Sequence, residues 1–205
     1  MTKNIFTKKR LFKNWIILLQ DTICNEFEKI EKIFADETNQ KPKFFKKNTW
    51  LKSQHKNEGG GTFKTLKNGF VFEKVGVNIS EVTGKFNNQL KSQVMGAYKK
   101  PQYWAAGISI VAHMRNPKIP AIHFNTRFIV TTKSWFGGGI DLTPCIKDLK
   151  EERFFHNFLK KTCDKHDKKK YPKYKKWCEK YFFLKHIKEK RGIGGIFFDY
   201  KKKNW

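Results

Sequence analysis

Two strand-like segments occupy residues 107–141, which read GISIVAHMRNPKIPAIHFNTRFIVTTKSWFGGGID. Polar side chains recur at every second position of each segment. Because successive side chains of a β-strand point to opposite faces, this period of two predicts two strands with one polar face each. The members of the polar faces are Gly107, Ser109, Val111 and His113 on the first strand, and His123, Asn125 and Arg127 on the second. Imidazole, amide and guanidinium groups in this pattern favour a binding or catalytic surface over an ordinary solvated one.

The rest of the chain predicts helices and strands in separate groups. The apolar spacing predicts helices over residues 9–34, 148–164 and 172–190, the last capped by Lys190-Arg191-Gly192. A short strand is expected near Trp50, a turn at residues 58–61, a hairpin around the Asn68-Gly69 pair, a loop with a short helix over residues 84–104, and a strand over residues 193–199. This grouping indicates an α+β fold with a largely antiparallel sheet.

Composition limits the class of protein. The 205 residues suit a single domain, and 39% hydrophobic with 16% aromatic residues predict a packed core. The formal net charge of +26 would suit a nucleic-acid binder, but only five of the 44 basic residues are Arg, the side chain that base-specific readers favour. We therefore expect no nucleic-acid partner, and we attribute the lysines to AT-rich codon usage.

Cysteine usage and hydropathy point to a cellular compartment. The four cysteines, Cys24, Cys145, Cys163 and Cys178, show no CxxC spacing, so we expect reduced and mostly buried thiols. The apolar stretch near the N-terminus is too short for a membrane span. The expected location is the cytoplasm.

Three polar groups on the two strands predicted within residues 107–141 suit carboxylate binding. Arg127 offers a fork of donors, Asn125 an amide and Ser109 a hydroxyl. The alternative is that Arg127 is a buried arginine paired with a nearby carboxylate such as Asp141. Asp141 itself follows three glycines, and it is either a turn residue or a carboxylate that meets a ligand nitrogen.

Four histidines lie in structured, partly apolar contexts: His113, His123, His156 and His186. Together they would suit either a metal site or acid–base chemistry near neutral pH. No HxH, HxxxH or HExxH spacing joins any pair of them locally, so a shared site would have to be assembled by the fold.

Several long blocks of the sequence resemble oxygen-dependent coproporphyrinogen III oxidases. They are EGGGTFKTLKNGFVFEKVGVNISEV, GISIVAHMRNPKIPAIHFNTRF, WFGGGIDLTP, YPKYKKWCEKYFFLKH and RGIGGIFFD, in the order of that family. The resemblance implies a large, flat antiparallel sheet flanked by helices, and a homodimer that acts in haem biosynthesis. It implies oxidative decarboxylation of two propionates of coproporphyrinogen III to vinyl groups, which gives protoporphyrinogen IX with O2 as electron acceptor and without haem, flavin or nicotinamide.

The resemblance also implies roles for individual residues. His123 matches the proton donor, Asp141 an Asp that faces the pyrrole nitrogens, and Arg127 a residue that binds a propionate. The substrate-binding positions are Ser109, Asn125, Thr126 and Arg127, and the positions of divalent-metal ligands, for manganese or a similar cation, are His113, His123, His156 and His186.

The sequence departs from the family pattern at Met114, Phe154, Ile187 and Tyr200, and it ends before the last third of the family's length. We therefore expect residues 1–205 to form the N-terminal two-thirds of a single coproporphyrinogen oxidase-like domain, incomplete at the C-terminus. In that case the sheet would lose strands and expose an edge, the pocket would lose one wall and the dimer interface much of its area, and activity would be weak or absent. Two alternatives remain, a porphyrinogen-binding remnant without catalysis and a basic nucleic-acid-binding protein.

Overall fold

A computed structural model describes residues 4–55 and 57–202 of this protein. The first element in the described part is a long helix. This helix, α1, spans Ile5–Glu37, and the Asn4 side chain caps it by accepting a hydrogen bond from the Phe6 backbone N–H at 3.1 Å. The prediction of a helix over residues 9–34 is confirmed, and the helix is longer at both ends. Its buried stripe consists of Phe12, Ile16, Gln20, Cys24, Glu31 and Ala35.

Seven strands form one antiparallel sheet, which confirms the predicted α+β class. Six follow in chain order: β1 (Lys46–Leu51), β2 (Gly59–Lys67), β3 (Phe72–Lys85), β4 (Gln102–Met114), β5 (Ala121–Val130) and β6 (Ser134–Thr143). A short helix, α2 (Asn88–Gln93), interrupts the connection from β3 to β4. A two-residue-per-strand hairpin, β7 (Phe183–Leu184) and β8 (Glu189–Lys190), precedes β9 (Gly194–Lys201), which pairs with β6.

The two faces of this sheet differ in character. On the apolar face, α1 packs across β3 and β4 and covers a cluster that includes Leu66, Val75, Val77, Ile108 and Phe128, all at most 2% exposed. Burial of each such side chain contributes about 1.5–3 kcal/mol, so this face holds the main core. Among the described residues, α1 is the helix that packs on β3 and β4, and the side chains of the opposite, polar face are available to form a site.

A buried carboxylate ties α1 to the hairpin turn between β2 and β3. Glu31 is fully buried and accepts hydrogen bonds from the backbone N–H groups of Phe70, Val71 and Phe72 at 2.7–2.9 Å. The Asn68 turn residue has φ +55°, as expected for the predicted Asn-Gly turn. The predicted hairpin is therefore present, with its turn held against the helix.

The glycine run at residues 59–61 forms part of a strand, so the predicted turn there is wrong. A Cβ added to Gly60 or Gly61 would lie 2.1 Å from a carbonyl oxygen of a neighbouring strand, of Trp50 and Ile79 respectively. These glycines allow close approach between strands rather than a reversal of the chain.

Two helices follow the sheet's first six strands. Helix α3 spans Leu149–Asp164, close to its predicted bounds, and Asp148 caps it by accepting from the Lys150 and Glu151 N–H groups. Helix α4 spans only Lys170–Tyr181 and packs against β9. No helix among the described residues combines the length and the apolar character that a membrane span requires.

The prediction of a helix over residues 172–190 is wrong beyond Tyr181. The chain instead turns at Phe182 into the β7–β8 hairpin, and Gly192 takes φ +55° in a bend that leads into β9 rather than in a helix cap. The physical reason is a tertiary contact. The Arg191 guanidinium stacks on the Phe182 ring, with 3.6 Å between the guanidinium carbon and the ring centroid. Only a reversed chain brings these two residues together.

Candidate active site

The predicted polar residues meet on one face of the sheet. Ser109 pairs across strands with Asn125, and Gly107 with Arg127, while His123 pairs with Asp141 on β6. Directly paired residues of antiparallel strands project their side chains from the same face, about 4.5–5.5 Å apart. The alternation found in the sequence therefore assembles a continuous polar surface across β4, β5 and β6.

An open cavity of about 690 Å³ lies on this face. Glycines replace side chains at Gly76 on β3 and Gly107 on β4, so the cavity floor is backbone there. The residues that border it are Trp50, Phe63, Thr65, Lys74, Gly76, Asn78, Ile79, Ser80, Gly107, Ile108, Ser109, Asn125, Thr126 and Arg127. A shallow, broad floor of this kind suits a flat ligand that lies against the strands.

Arg127 is held in a fixed orientation at one side of the cavity. Its Nη2 donates to the Asp199 carboxylate at 2.8 Å, and its Nη1 donates to the Asn125 Oδ1 at 3.3 Å. The side chain remains 31% exposed, so further donors of the guanidinium are available to a ligand. The ion pair that the sequence left open is therefore with Asp199 and not with Asp141.

A glycine makes room for this ion pair. A Cβ at Gly137 would lie 2.5 Å from the Asp199 Oδ1 and 3.0 Å from the Arg127 Nε. Phe197 lies behind the guanidinium, with its ring centroid 5.7 Å from the Arg127 carbon. The glycine run on β6, which lies between β5 and β9 in the sheet, thus leaves room for the Arg127 guanidinium.

Asp141 is a buried ion-pair partner of Arg191. Its residue is 2% exposed, and its two oxygens accept from the Arg191 Nη2 at 2.7 Å and the Arg191 Nε at 3.0 Å. This bidentate geometry uses the planar fork of the guanidinium. Asp141 therefore lies beneath Arg191 rather than at the open surface.

His123 lies beside this ion pair. Its Nδ1 is 3.7 Å from the Asp141 Oδ2, beyond hydrogen-bonding distance, and this nitrogen is buried without a partner in the described part of the chain. Burial lowers the pKa of His123 below its ordinary value, with Arg191 and His113 adding to the decrease and Asp141 opposing it. The imidazole is therefore neutral at pH 7 and can accept a proton or donate its own N–H.

Thr126 differs from its neighbours in orientation. It lies between Asn125 and Arg127 on β5 and pairs across strands with Ile108 and Gly138, so its side chain points to the opposite face. Its hydroxyl donates to the Gly137 carbonyl at 3.4 Å. It borders the cavity, but its side chain belongs to the other face. Ser109, in contrast, is exposed on the polar face next to Asn125.

The four histidines do not fit a shared metal site in this structure. His113 and His123 are neighbours, with ring centroids 6.5 Å apart. His156 uses both ring nitrogens elsewhere, with Nε2 2.9 Å from the Ile193 carbonyl and Nδ1 3.0 Å from the Tyr171 hydroxyl, while His186 is exposed in the β7–β8 turn. Across residues 4–55 and 57–202, no group of three or more potential ligands is placed to hold a metal ion. We therefore derive no chemical step through a metal.

Two site residues, Arg191 and Asp199, were not predicted from the sequence. Both act through partners that are 50 and 72 residues away along the chain. The available signal for Asp199 was its position two residues after Phe197, which places both on one face of the last strand. Arg191 was predicted to lie in a helix cap, a position that gives no indication of its ion pair with Asp141.

Comparison with known proteins identifies relatives of this chain. Residues 11–205 match the family described as coproporphyrinogen III oxidase. The chain is 50% identical over 192 residues to the oxygen-dependent coproporphyrinogen-III oxidase of Rickettsia africae (strain ESF-5), and equally to that of Rickettsia akari (strain Hartford). The enzyme of Rickettsia bellii (strain OSU 85-389) is 47% identical over the same length. Each match covers 94% of this chain and 67% of the relative. On this evidence the chain belongs to the coproporphyrinogen III oxidase family.

Proposed function

We propose that this protein is an oxygen-dependent coproporphyrinogen III oxidase that acts in haem biosynthesis. Two propionate side chains of the substrate are converted to vinyl groups, and each loses its carboxylate as CO2 together with two electrons and one proton, which leaves from the carbon attached to the pyrrole ring. One O2 takes up the four electrons from both steps and, with four protons, becomes two molecules of water. The product is protoporphyrinogen IX.

The observation that carries this proposal is the guanidinium of Arg127 at the border of a broad cavity floored by strands. Coproporphyrinogen III is a broad macrocycle with four carboxylates, so it needs an open floor and a fixed cation. Asp199 and Asn125 hold two of the Arg127 donors, which orients the remaining donors for a substrate propionate. Ser109 and Asn125 offer further hydrogen bonds to that carboxylate, and Thr126 borders the same position through its backbone.

His123 is proposed as the residue that exchanges a proton with the substrate. Its neutral imidazole follows from burial next to the Arg191 cation, and a neutral imidazole can both donate and accept. Asp141 holds Arg191 next to His123 from its buried position, and the family resemblance would place this carboxylate near the pyrrole nitrogens. In this arrangement Arg191 and Asp141 position His123 rather than contact the reacting propionate.

Three further features form part of the proposal. We infer a cytoplasmic enzyme, because the four cysteines form no disulfide and three of them are buried. We infer a homodimer from the family resemblance, with exposed apolar side chains on α1, such as Leu18 at 66% and Ile33 at 61%, as available contact area. We infer that residues 1–205 form the N-terminal two-thirds of a single coproporphyrinogen oxidase-like domain, and that O2 acts without haem, flavin or nicotinamide.

The test is turnover by this chain of coproporphyrinogen III prepared without oxygen and then exposed to air, with products separated by chromatography. We expect formation of the divinyl product and a rise in KM of about tenfold or more for Arg127→Gln, because one charge-assisted carboxylate contact is lost. Arg153→Gln on α3 is the matched control, since Arg153 is exposed and bonds only to its own helix. Binding without turnover would support the alternative of a porphyrinogen-binding protein, and equal effects of both substitutions would contradict the proposed pocket.

A further inference from the structure

The end of the polar face farthest from Arg127 is basic. Lys67 on β2 and Lys74 on β3 are direct cross-strand partners, and His113 on β4 is the next partner of Lys74. Like charges directly opposite each other destabilise a sheet. Within the described ranges neither ammonium forms an ion pair, and both side chains are exposed. An anion at this position would remove the repulsion.

A notch in β3 lies beside this basic end. Gly76 separates Lys74 from Asn78 on the same face, and a Cβ added at Gly76 would meet only the Asn78 amide, at 3.8–3.9 Å. The Asn78 side chain therefore leans over the space that a residue at position 76 would fill. Thr65 pairs with Gly76 from β2 and borders the same cavity. Ammonium, amide and hydroxyl donors thus neighbour the open position at Gly76.

This notch and Arg127 lie at opposite ends of one cavity. Ser80 shares a cross-strand row with Arg127 through Gly107, and Lys74 is six residues before Ser80 on β3. Strand geometry places the Cα atoms of Lys74 and Arg127 about 22 Å apart, from ~20 Å along the strand and ~10 Å across two strands. The side chains of Lys74 and Arg127 are long, and a tetrapyrrole with extended propionate arms can bridge the remaining separation.

We propose that Lys74, with Gly76 and Asn78, forms a second carboxylate subsite that holds a propionate other than the one at Arg127. The inference rests on the proposed function, because it assigns a second anchor for the same macrocycle. Two anchors at this spacing select a substrate with carboxylates on both sides of the ring. Lys74 is therefore a specificity residue for tetracarboxylate over dicarboxylate tetrapyrroles.

The test is a fluorescence titration of the protein with coproporphyrin III, a stable tetracarboxylate, and with mesoporphyrin IX, a dicarboxylate. We expect Lys74→Met to weaken coproporphyrin III binding about tenfold and mesoporphyrin IX binding about twofold or less. Lys85→Met is the matched control, because Lys85 ends the same strand on the opposite face, and we expect it to change neither affinity more than about twofold.

The double variant Lys74→Met/Arg127→Gln shows whether Lys74 and Arg127 bind the same carboxylate or two different carboxylates of the ligand. Independent anchors predict that the two losses of affinity multiply. Equal effects of Lys74→Met and Lys85→Met, with Arg127→Gln still weakening binding, would overturn the subsite and leave the proposed function intact. Failure of the unmodified protein to bind coproporphyrin III would overturn both. Lys74→Met should keep or raise the melting temperature, because it removes the Lys67–Lys74 repulsion, so loss of binding cannot be assigned to unfolding.

Discussion

Replacement of Asp141 by Asn tests the ion pair that organises the site. The substitution keeps the shape of the side chain but leaves the Arg191 guanidinium without its charge partner. Removal of one partner of a fully buried pair costs about 3–5 kcal/mol. The Arg191 side chain is 29% exposed, so water compensates for part of the loss, and we expect a decrease of about 2–3 kcal/mol in the free energy of unfolding.

Asp21→Asn is the matched control for this measurement. Asp21 is 52% exposed and pairs with Lys64 between α1 and β2, so its loss should cost less than about 1 kcal/mol. The assay is equilibrium unfolding in urea followed by tryptophan fluorescence, since Trp104 and Trp135 are buried in the native state. A cost of Asp141→Asn no larger than that of Asp21→Asn would refute the argument that Asp141 holds Arg191 in a desolvated pair.

Three further predictions concern buried groups. Glu31→Gln should lower the free energy of unfolding by about 2 kcal/mol, because its amide N–H₂ would face a backbone N–H, whereas Glu26→Gln at the exposed surface should cost under about 0.5 kcal/mol in the same assay. Ellman's reagent at pH 8 should find one reactive thiol, Cys145, in the native protein and four in guanidinium chloride, because burial raises the pKa of Cys24 and Cys178 to about 12 and that of Cys163 above its usual value. Burial lowers the pKa of His123, so the neutral imidazole's contribution to the free energy of unfolding is fully present above pH ~6.5 and is lost as the pH falls through the lowered pKa. The free energy of unfolding should therefore decrease less steeply between pH 7 and 5 in His123→Gln than in the unmodified protein.

Local patterns were sufficient to predict the central strands and their polar face. The alternation around Ser109 and Asn125 identified both strands, and strand pairing then placed these two residues side by side. The long first helix followed from its apolar spacing, and the hairpin followed from the Asn68-Gly69 pair. In each case the signal lies within a few residues of the structure that it predicts.

The parts that could not be predicted depend on contacts between distant residues. Aromatic residues beyond Tyr181 fit a helical spacing, yet the pairing of Arg191 with Asp141 and its stack on Phe182 favour a reversed chain. The burial of Asp141 beneath Arg191 is a property of the assembled sheet and leaves no local pattern. The same holds for Asp199, which comes within hydrogen-bonding distance of Arg127 only because β9 pairs with β6.

A crystal structure of this protein with coproporphyrin III bound would show whether the polar face holds the substrate. We expect the macrocycle to lie flat on the polar face, over Gly76 and Gly107, with a propionate within hydrogen-bonding distance of the Arg127 guanidinium. A porphyrin bound elsewhere, for example in the apolar groove between α1 and β1, with Arg127 contacting only Asp199 and Asn125, would contradict this expectation.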